Sequence, residues 1–211
     1  MKSQDMKAAA LQWLRFVRRY EIVCTEAGTI GLADVIGVCP TSAVEMEIKV
    51  SKADLRREFT EKAHKHRYYK SVSGGASPNY FYFMVPEQLV EAAVALALEH
   101  NPKYGVVSMP EGGNYQTLTV TRKAQRLHSE KPGPGMIRVA TMRMSSELAT
   151  LYAANRELAA KVVHAFEVGV NQVVQQAILP FAAEPDLPLE TNDGPDPLFL
   201  ETDPGAQQRS L

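Results

Sequence analysis

Val44-Glu45-Met46-Glu47-Ile48-Lys49-Val50 alternates apolar and charged residues without a break. Strand side chains repeat every two residues, so the spacing predicts a β-strand with Val44, Met46, Ile48 and Val50 on one face and Glu45, Glu47 and Lys49 on the other. Alone, such a run would equally suit a half-solvated antiparallel strand. Its surroundings argue for more. Upstream, residues 30 to 39 form an apolar, β-favouring run whose single charge is Asp34. A carboxylate set among apolar neighbours loses solvation on folding unless a cation or a hydrogen-bond donor stands beside it. The preceding run, residues 20 to 27, is joined to it through Gly28-Thr29 and predicts a hairpin. Pairing the strand of Asp34 with that of Glu47 and Lys49 would bring two carboxylates and one ammonium together.

The rest of the chain extends the same layout. Met6, Ala10, Trp13, Leu14 and Val17 recur at helical spacing, predicting an amphipathic helix from residue 3 to about 19 with Arg15, Arg18 and Arg19 near its end. Ser51-Lys52-Ala53-Asp54 opens a polar, helix-favouring segment that runs to about residue 70, where a Gly/Ser/Pro loop follows. Tyr80-Phe81-Tyr82-Phe83-Met84-Val85 reads as a buried aromatic strand stopped by Pro86, which starts a helix to residue 100. Residues 104 to 109 form another strand, and Gly112-Gly113-Asn114 with Leu118-Thr119-Val120 suggests a last hairpin-like element. The expected class is therefore α/β, with a mixed central sheet of about five strands in a domain covering residues 1–130.

Lys131-Pro132-Gly133-Pro134-Gly135 marks a linker, assigned to residues 131–142. Beyond it Leu148, Leu151, Leu158, Val162, Phe166, Val170, Val173 and Ala177 predict a long helix within residues 143–180, either bent at Gly169 or divided in two. Unbroken, it would extend roughly 50 Å at 1.5 Å per residue. That is more than the first domain would cover, so the 143–178 helix is expected to pack elsewhere in the chain or to form a homo-oligomer. Residues 181–211, rich in Pro, Asp and Gly, are read as a disordered acidic tail.

Bulk properties exclude several classes. With 211 residues and 45% hydrophobic content the chain can bury a core. No apolar run is long enough for a transmembrane helix, and the N-terminus lacks a signal peptide's apolar segment, so a cytoplasmic location without a membrane partner is expected. Cys24 and Cys39 lie in separate strand-like runs, which supports neither a zinc cage nor a disulfide framework. Residues 184 to 211 hold seven acidic residues against Arg209 alone, whereas residues 1 to 183 hold 22 basic and 17 acidic. A mildly basic body permits a polyanionic partner without demanding one.

The charged strands suit a specific chemistry. Carboxylates from Asp34 and Glu47, with the Ile48 carbonyl, are hard oxygen donors of the kind that hold Mg²⁺, with Mn²⁺ as a substitute. Lys49 on the same face would orient water or stabilise charge on a scissile phosphate. Downstream, Lys62-Ala63-His64-Lys65-His66-Arg67-Tyr68-Tyr69-Lys70 combines cations with aromatic rings, which suits nucleic-acid contact and equally suits a polar helix end with two core tyrosines. Lys52, Lys65 and Arg67 are the candidate substrate contacts, with DNA as the expected partner. His64 and His66, two residues apart, point away from each other on a helix, which argues against zinc.

Asp34 followed by Glu47-Ile48-Lys49 resembles the D...E-x-K signature of the PD-(D/E)XK nuclease superfamily, and the element order resembles its α-β-β-β-α-β restriction endonuclease-like core. The string from Glu45 to Leu55, together with Tyr80-Phe81-Tyr82-Phe83-Met84-Val85-Pro86-Glu87, resembles more narrowly the MmcB-like DNA repair endonucleases. There an E-I-K-S-S-x-A-D-type stretch precedes an F-Y-F-A-V-P-type strand. The resemblance covers residues 22 to 107 and implies a metal-dependent DNA endonuclease with Asp34, Glu47 and Lys49 as catalytic positions, in DNA repair or in phage or mobile-element DNA processing. The alternative is a catalytically inactive DNA-binding or assembly protein on the same fold. Many members of the superfamily add a first-helix glutamate. This helix has only Asp5 and Gln12, with Glu21 and Glu26 further on.

Overall fold

The three runs read as neighbours pair in chain order. β1 (Ile22–Ala27), β2 (Ala33–Cys39) and β3 (Ser42–Ile48) form an antiparallel meander, with Val35 opposite Met46 and Ile36 opposite Glu45. Continuing that register by one residue sets Asp34 across from Glu47. The structure is a computed structural model and describes residues 2–28, 30–71 and 75–167. The 168–180 part of the expected long helix and the expected tail at 181–211 lie outside the described residues.

β4 (Tyr80–Pro86) lies parallel to β3, and β5 (Gly105–Met109) lies parallel to β4. Parallel neighbours need crossover connections. Helices α2 (Lys52–Glu61) and α3 (Ala63–Ser71) supply the first, and a short 3₁₀ turn (Glu87–Leu89) with α4 (Val90–His100) supplies the second. β6 (Thr119–Arg122) adds antiparallel to β5, completing a six-stranded mixed sheet in sequential order. The hairpin-like element is thus a sixth strand, reached through Gly112 at φ 71°.

Helix α1 (Ser3–Gln12) buries Met6, Ala9 and Ala10, and the turn after it buries Trp13 and Leu14, in one cluster with Val44, Met46 and Ile48. Val17, expected on the same stripe, is exposed. Residues Trp13–Val17 form a π turn in which the Arg18 N–H donates to the Trp13 carbonyl at 2.9 Å, and the wider turn rotates Val17 off the buried face. On the opposite sheet face, Phe81, Phe83 and Val85 pack under Leu55, Ala93, Ala97 and Tyr104. Among the described residues, no helix is long and apolar enough to cross a membrane.

Several boundaries differ from the sequence reading: β2 starts at Ala33 rather than Ile30, and β3 ends at Ile48, leaving Val50 exposed instead of on the apolar face. The segment from 51 to 70 breaks at Lys62 into α2 and α3. Helix α5 (Pro134–Glu167) starts nine residues before the expected 143, so most of the expected linker is helical. Proline at a first helical position is preorganised for it, and Met136 and Ala140 pack against Cys24, Ile36 and Val38. Apolar burial there outweighs the breaker signal of the Pro/Gly cluster. The chain divides into two units, residues 1–158 and 159–211, and in the second the described residues are the last turns of α5.

Gly105 carries a packing constraint. A Cβ there would come within 2.3 Å of Cε1 of Tyr82 and 2.7 Å of the Ala124 backbone nitrogen. Tyr82 is buried and accepts a hydrogen bond from that same nitrogen, so its ring has little room to yield. Gly105→Ala is expected to cost about 1–3 kcal/mol by overpacking, measurable by urea denaturation. A loss under about 0.5 kcal/mol would mean that β5 shifts freely.

Candidate active site

The face of β3 that bears Glu45, Glu47 and Lys49 is turned toward α2 and α3, and all three side chains are buried. Ser51 starts α2 as its N-cap, its hydroxyl accepting from the Asp54 N–H at 3.1 Å. One turn later, Leu55 and Glu58 share the buried side of α2. The break at Lys62 then directs α3 so that Lys62 and Lys65 both reach Glu47. Lys62 Nζ donates to Oε2 of Glu47 at 2.8 Å, and Lys65 Nζ donates to Oε1.

The result is a closed network of three carboxylates and three ammoniums. Lys65 Nζ lies 2.6 Å from Oε1 of Glu45 and 3.4 Å from Oε1 of Glu58. Lys49 Nζ is 2.7 Å from Oε2 of Glu58 and 3.6 Å from Oε2 of Glu47. Tyr69 donates its hydroxyl to Glu45 at 2.6 Å. His66 meets Glu58 through Nε2 at 3.3 Å and Tyr104 through Nδ1 at 2.8 Å. A carboxylate can only accept, so the His66 proton sits on Nε2 and Nδ1 accepts from Tyr104. Burial holds the His66 imidazole below its ordinary value, which keeps that neutral tautomer.

Desolvation and pairing act against each other across this network. Burial pushes the Glu47 carboxyl up to about 7, with Lys65 opposing and Glu45 and Glu58 adding to the rise. Burial also acts upward on Glu58, but the His66 hydrogen bond and the Lys65 and Lys49 ammoniums outweigh it and hold that carboxyl well below its ordinary value. A lowered carboxyl contributes stability that is present above its unfolded value, 4.5, and is lost as the pH falls through its folded one. The penalty for Glu58→Gln is therefore expected to be largest at neutral pH and to shrink below about pH 4.5. Denaturation of both proteins at pH 7 and pH 4 checks this, and an equal gap at the two values would refute the assignment.

Asp34 stands at the edge of the network. Its half-buried carboxylate accepts from the Ile48 N–H at 2.8 Å through Oδ2 and meets Lys7 Nζ at 3.3 Å through Oδ1. The donor and the cation that an apolar strand setting requires are thus both present. Lys7 also reaches Glu26 at 3.4 Å. An open pocket of about 380 Å³ lies here, and its lining includes Lys7, Glu26, Asp34, Lys62, His64 and Lys65.

The sequence candidates are therefore distributed unevenly. Asp34 on β2 is brought beside Glu47 and Ile48 on β3 and Lys49 immediately after it. Lys52 and Arg67 are exposed on α2 and α3. Lys65, expected among the substrate contacts, is instead fully buried, because three carboxylates would otherwise lack a central cation. Of Glu21 and Glu26, it is Glu26 that lines the pocket. Glu58 is absent from the sequence reading, and Lys62, read there only as part of a basic stretch, pairs with Glu47 and Glu58. Their signal is Glu58 three residues after Leu55, a charge on the one apolar stripe of a polar helix, with Lys62 four residues further on.

Fold and site together define an α/β protein with a six-stranded mixed sheet and a buried acid–lysine network on one face, beside an open pocket lined by lysines and carboxylates. No family model and no curated protein matches the chain. A solved structure, the SPO1766 protein of unknown function from Silicibacter pomeroyi, is similar with a TM-score of 0.50 at 15% identity, over 75% of this chain and 94% of that chain. At that identity the likeness is one of fold.

Proposed function

We propose that the chain has a restriction endonuclease-like core of the PD-(D/E)XK type and acts as a metal-dependent DNA endonuclease. The observation that carries this reading is the placement of Asp34 beside Glu47-Ile48-Lys49, with the Asp34 carboxylate bonded to the Ile48 N–H at 2.8 Å and facing an open, lysine-lined pocket. Among the described residues no three His, Cys, Asp or Glu side chains are grouped to hold an ion. The donor set is two carboxylates and a carbonyl. Such hard oxygens suit Mg²⁺ or Mn²⁺, which usually takes only one or two carboxylates, and Asp34, Glu47 and the Ile48 carbonyl would hold it. When bound, the cation would supply activation of water and neutralisation of phosphate charge.

The protein's own groups have separate tasks. Lys7, Lys62 and His64 at the pocket would draw in and position the phosphate backbone. Lys49, one residue beyond the strand, would stabilise charge on the scissile group while Glu58 fixes its ammonium. Lys62 is one-third exposed and would have to leave Glu47 to free one carboxylate oxygen for the cation. Lys52 and Arg67 extend the basic surface on α2 and α3.

A second reading has its own observation. Both oxygens of Glu47 are held by lysines, a closed arrangement that suits a catalytically silent DNA-binding or assembly protein, with the long helix as its homo-oligomer contact. Labelled single-stranded, duplex, mismatched and branched DNA, and RNA, incubated with and without Mg²⁺ or Mn²⁺, separate the two. Metal-dependent cleavage lost in Asp34→Asn supports the nuclease, whereas binding without cleavage of any form supports the silent protein. DNA repair and phage or mobile-element processing are the settings proposed for the activity.

A further inference from the structure

The sheet face remote from Glu47 carries a second recess, of about 320 Å³, where the π turn meets the starts of β3 and β4 and the chain after β6. Trp13, Tyr20, Tyr80 and Tyr82 wall it, and the exposed cations Arg18 and Lys123 stand at its rim. Among the described residues no carboxylate lines it.

This recess is built by unusual backbone. The π turn brings the Arg18 guanidinium to 5.3 Å from the centroid of the Trp13 ring. Arg19 then adopts a left-handed φ of 60°, and the reversal lets the Tyr20 N–H donate to the Leu14 carbonyl at 3.0 Å. Tyr20 seats over Gly37, where a Cβ would lie 2.9 Å from its ring Cγ. π turns and left-handed non-glycine residues are costly features that concentrate at functional sites.

Aromatic walls with a cationic rim and no opposing acid match one ligand chemistry, a flat heteroaromatic ring carrying an anion. Stacking on aromatic side chains tolerates any base, and paired cations suit phosphate. The volume lies at the small end of the range for ligand sites. We propose that this recess binds one nucleotide unit, its base against the aromatic walls and its phosphate between Arg18 and Lys123. The unit is either a free nucleotide or an unpaired one within a single strand. The inference does not rest on the Asp34 site, which faces the other side of the sheet.

Trp13 is the single tryptophan of the chain, so its fluorescence reports this recess directly. The full-length protein, in EDTA so that metal-dependent cleavage is silent, is titrated with deoxyadenosine monophosphate, a single-stranded thymidine oligonucleotide, deoxyadenosine and inorganic phosphate. Saturable change is expected with the nucleotide, the oligonucleotide or both, and at least tenfold more weakly with the nucleoside or phosphate alone. Response to the oligonucleotide alone identifies a strand-borne nucleotide, and response to both identifies a site that also takes the free one. Arg18→Ala with Lys123→Ala should raise the midpoint at least tenfold, with only a small fall in melting temperature from the lost Arg18–Trp13 contact. The proposal is overturned by the absence of saturable change with either nucleotide probe, by an unchanged midpoint in the double variant, or by equal response to inorganic phosphate.

Discussion

Lys65→Met is expected to destabilise the protein by about 3–5 kcal/mol, because it removes one partner from buried ion pairs and leaves the others uncompensated. Lys65 is fully buried and meets Glu45, Glu47 and Glu58. Burial works against its ammonium, but the Glu45, Glu47 and Glu58 carboxylates outweigh it and hold the group above its ordinary 10.5. A cation raised in this way contributes stability that is fully present below the unfolded value and is lost as the pH rises through the folded one. The Lys65 ammonium itself stays charged across neutral pH, but Lys65 also opposes the rise of the Glu47 carboxyl, so the penalty should grow as the pH rises through about 7. At roughly 2–4 °C per kcal/mol for a chain of this size, the melting temperature should fall by about 10 °C. Lys52→Met, on the exposed start of α2, should stay within about 0.5 kcal/mol. Adding Glu45→Gln to Lys65→Met should recover part of the loss, since Gln keeps an acceptor for Tyr69 and removes one unpaired charge. A Lys65→Met penalty below about 1 kcal/mol would show that the network is not a structural unit.

Asp34→Asn is expected to lower metal-dependent DNA cleavage by about 10²–10³-fold, the loss of several kcal/mol of charge stabilisation. Asparagine keeps an oxygen for the Ile48 N–H, so the fold should be retained and the effect confined to chemistry. Lys49→Met should lower the rate by about 10²-fold or more. Lys49 also neutralises Glu58, so this variant is expected to lose stability as well and must be assayed well below its own melting temperature. Separate melting and cleavage measurements divide the two effects. Unchanged cleavage in both variants would place the reaction elsewhere.

Much of the layout was legible because it depends on local periodicity. The alternation in residues 44 to 50 set which β3 side chains share a face. The apolar run around Asp34 identified a carboxylate that needed partners, and Lys7 and the Ile48 N–H supply them. Less legible were features where packing overrides a local signal. The Pro/Gly cluster at residues 131–135 marks a linker expected over 131–142, yet Met136 and Ala140 bury against the sheet and the helix begins at Pro134, so most of that expected linker is helical. Val17 fits the helical stripe by spacing and leaves it through the π turn.

The sequence by itself determined that Asp34 and Glu47 fall on adjacent strands and that Lys49, just past the end of β3, shares the face of Glu47, because a strand's side-chain period is a property of the backbone. Only the tertiary structure decided which charges neutralise them. Lys62 and Lys65 come to Glu47 from a segment that reads as a basic, substrate-facing surface. Their direction depends on a helix break at Lys62 and on the desolvation of three carboxylates together. Neither is a local property: the cost of a buried charge is set by everything packed around it, and residues distant in sequence supply that packing.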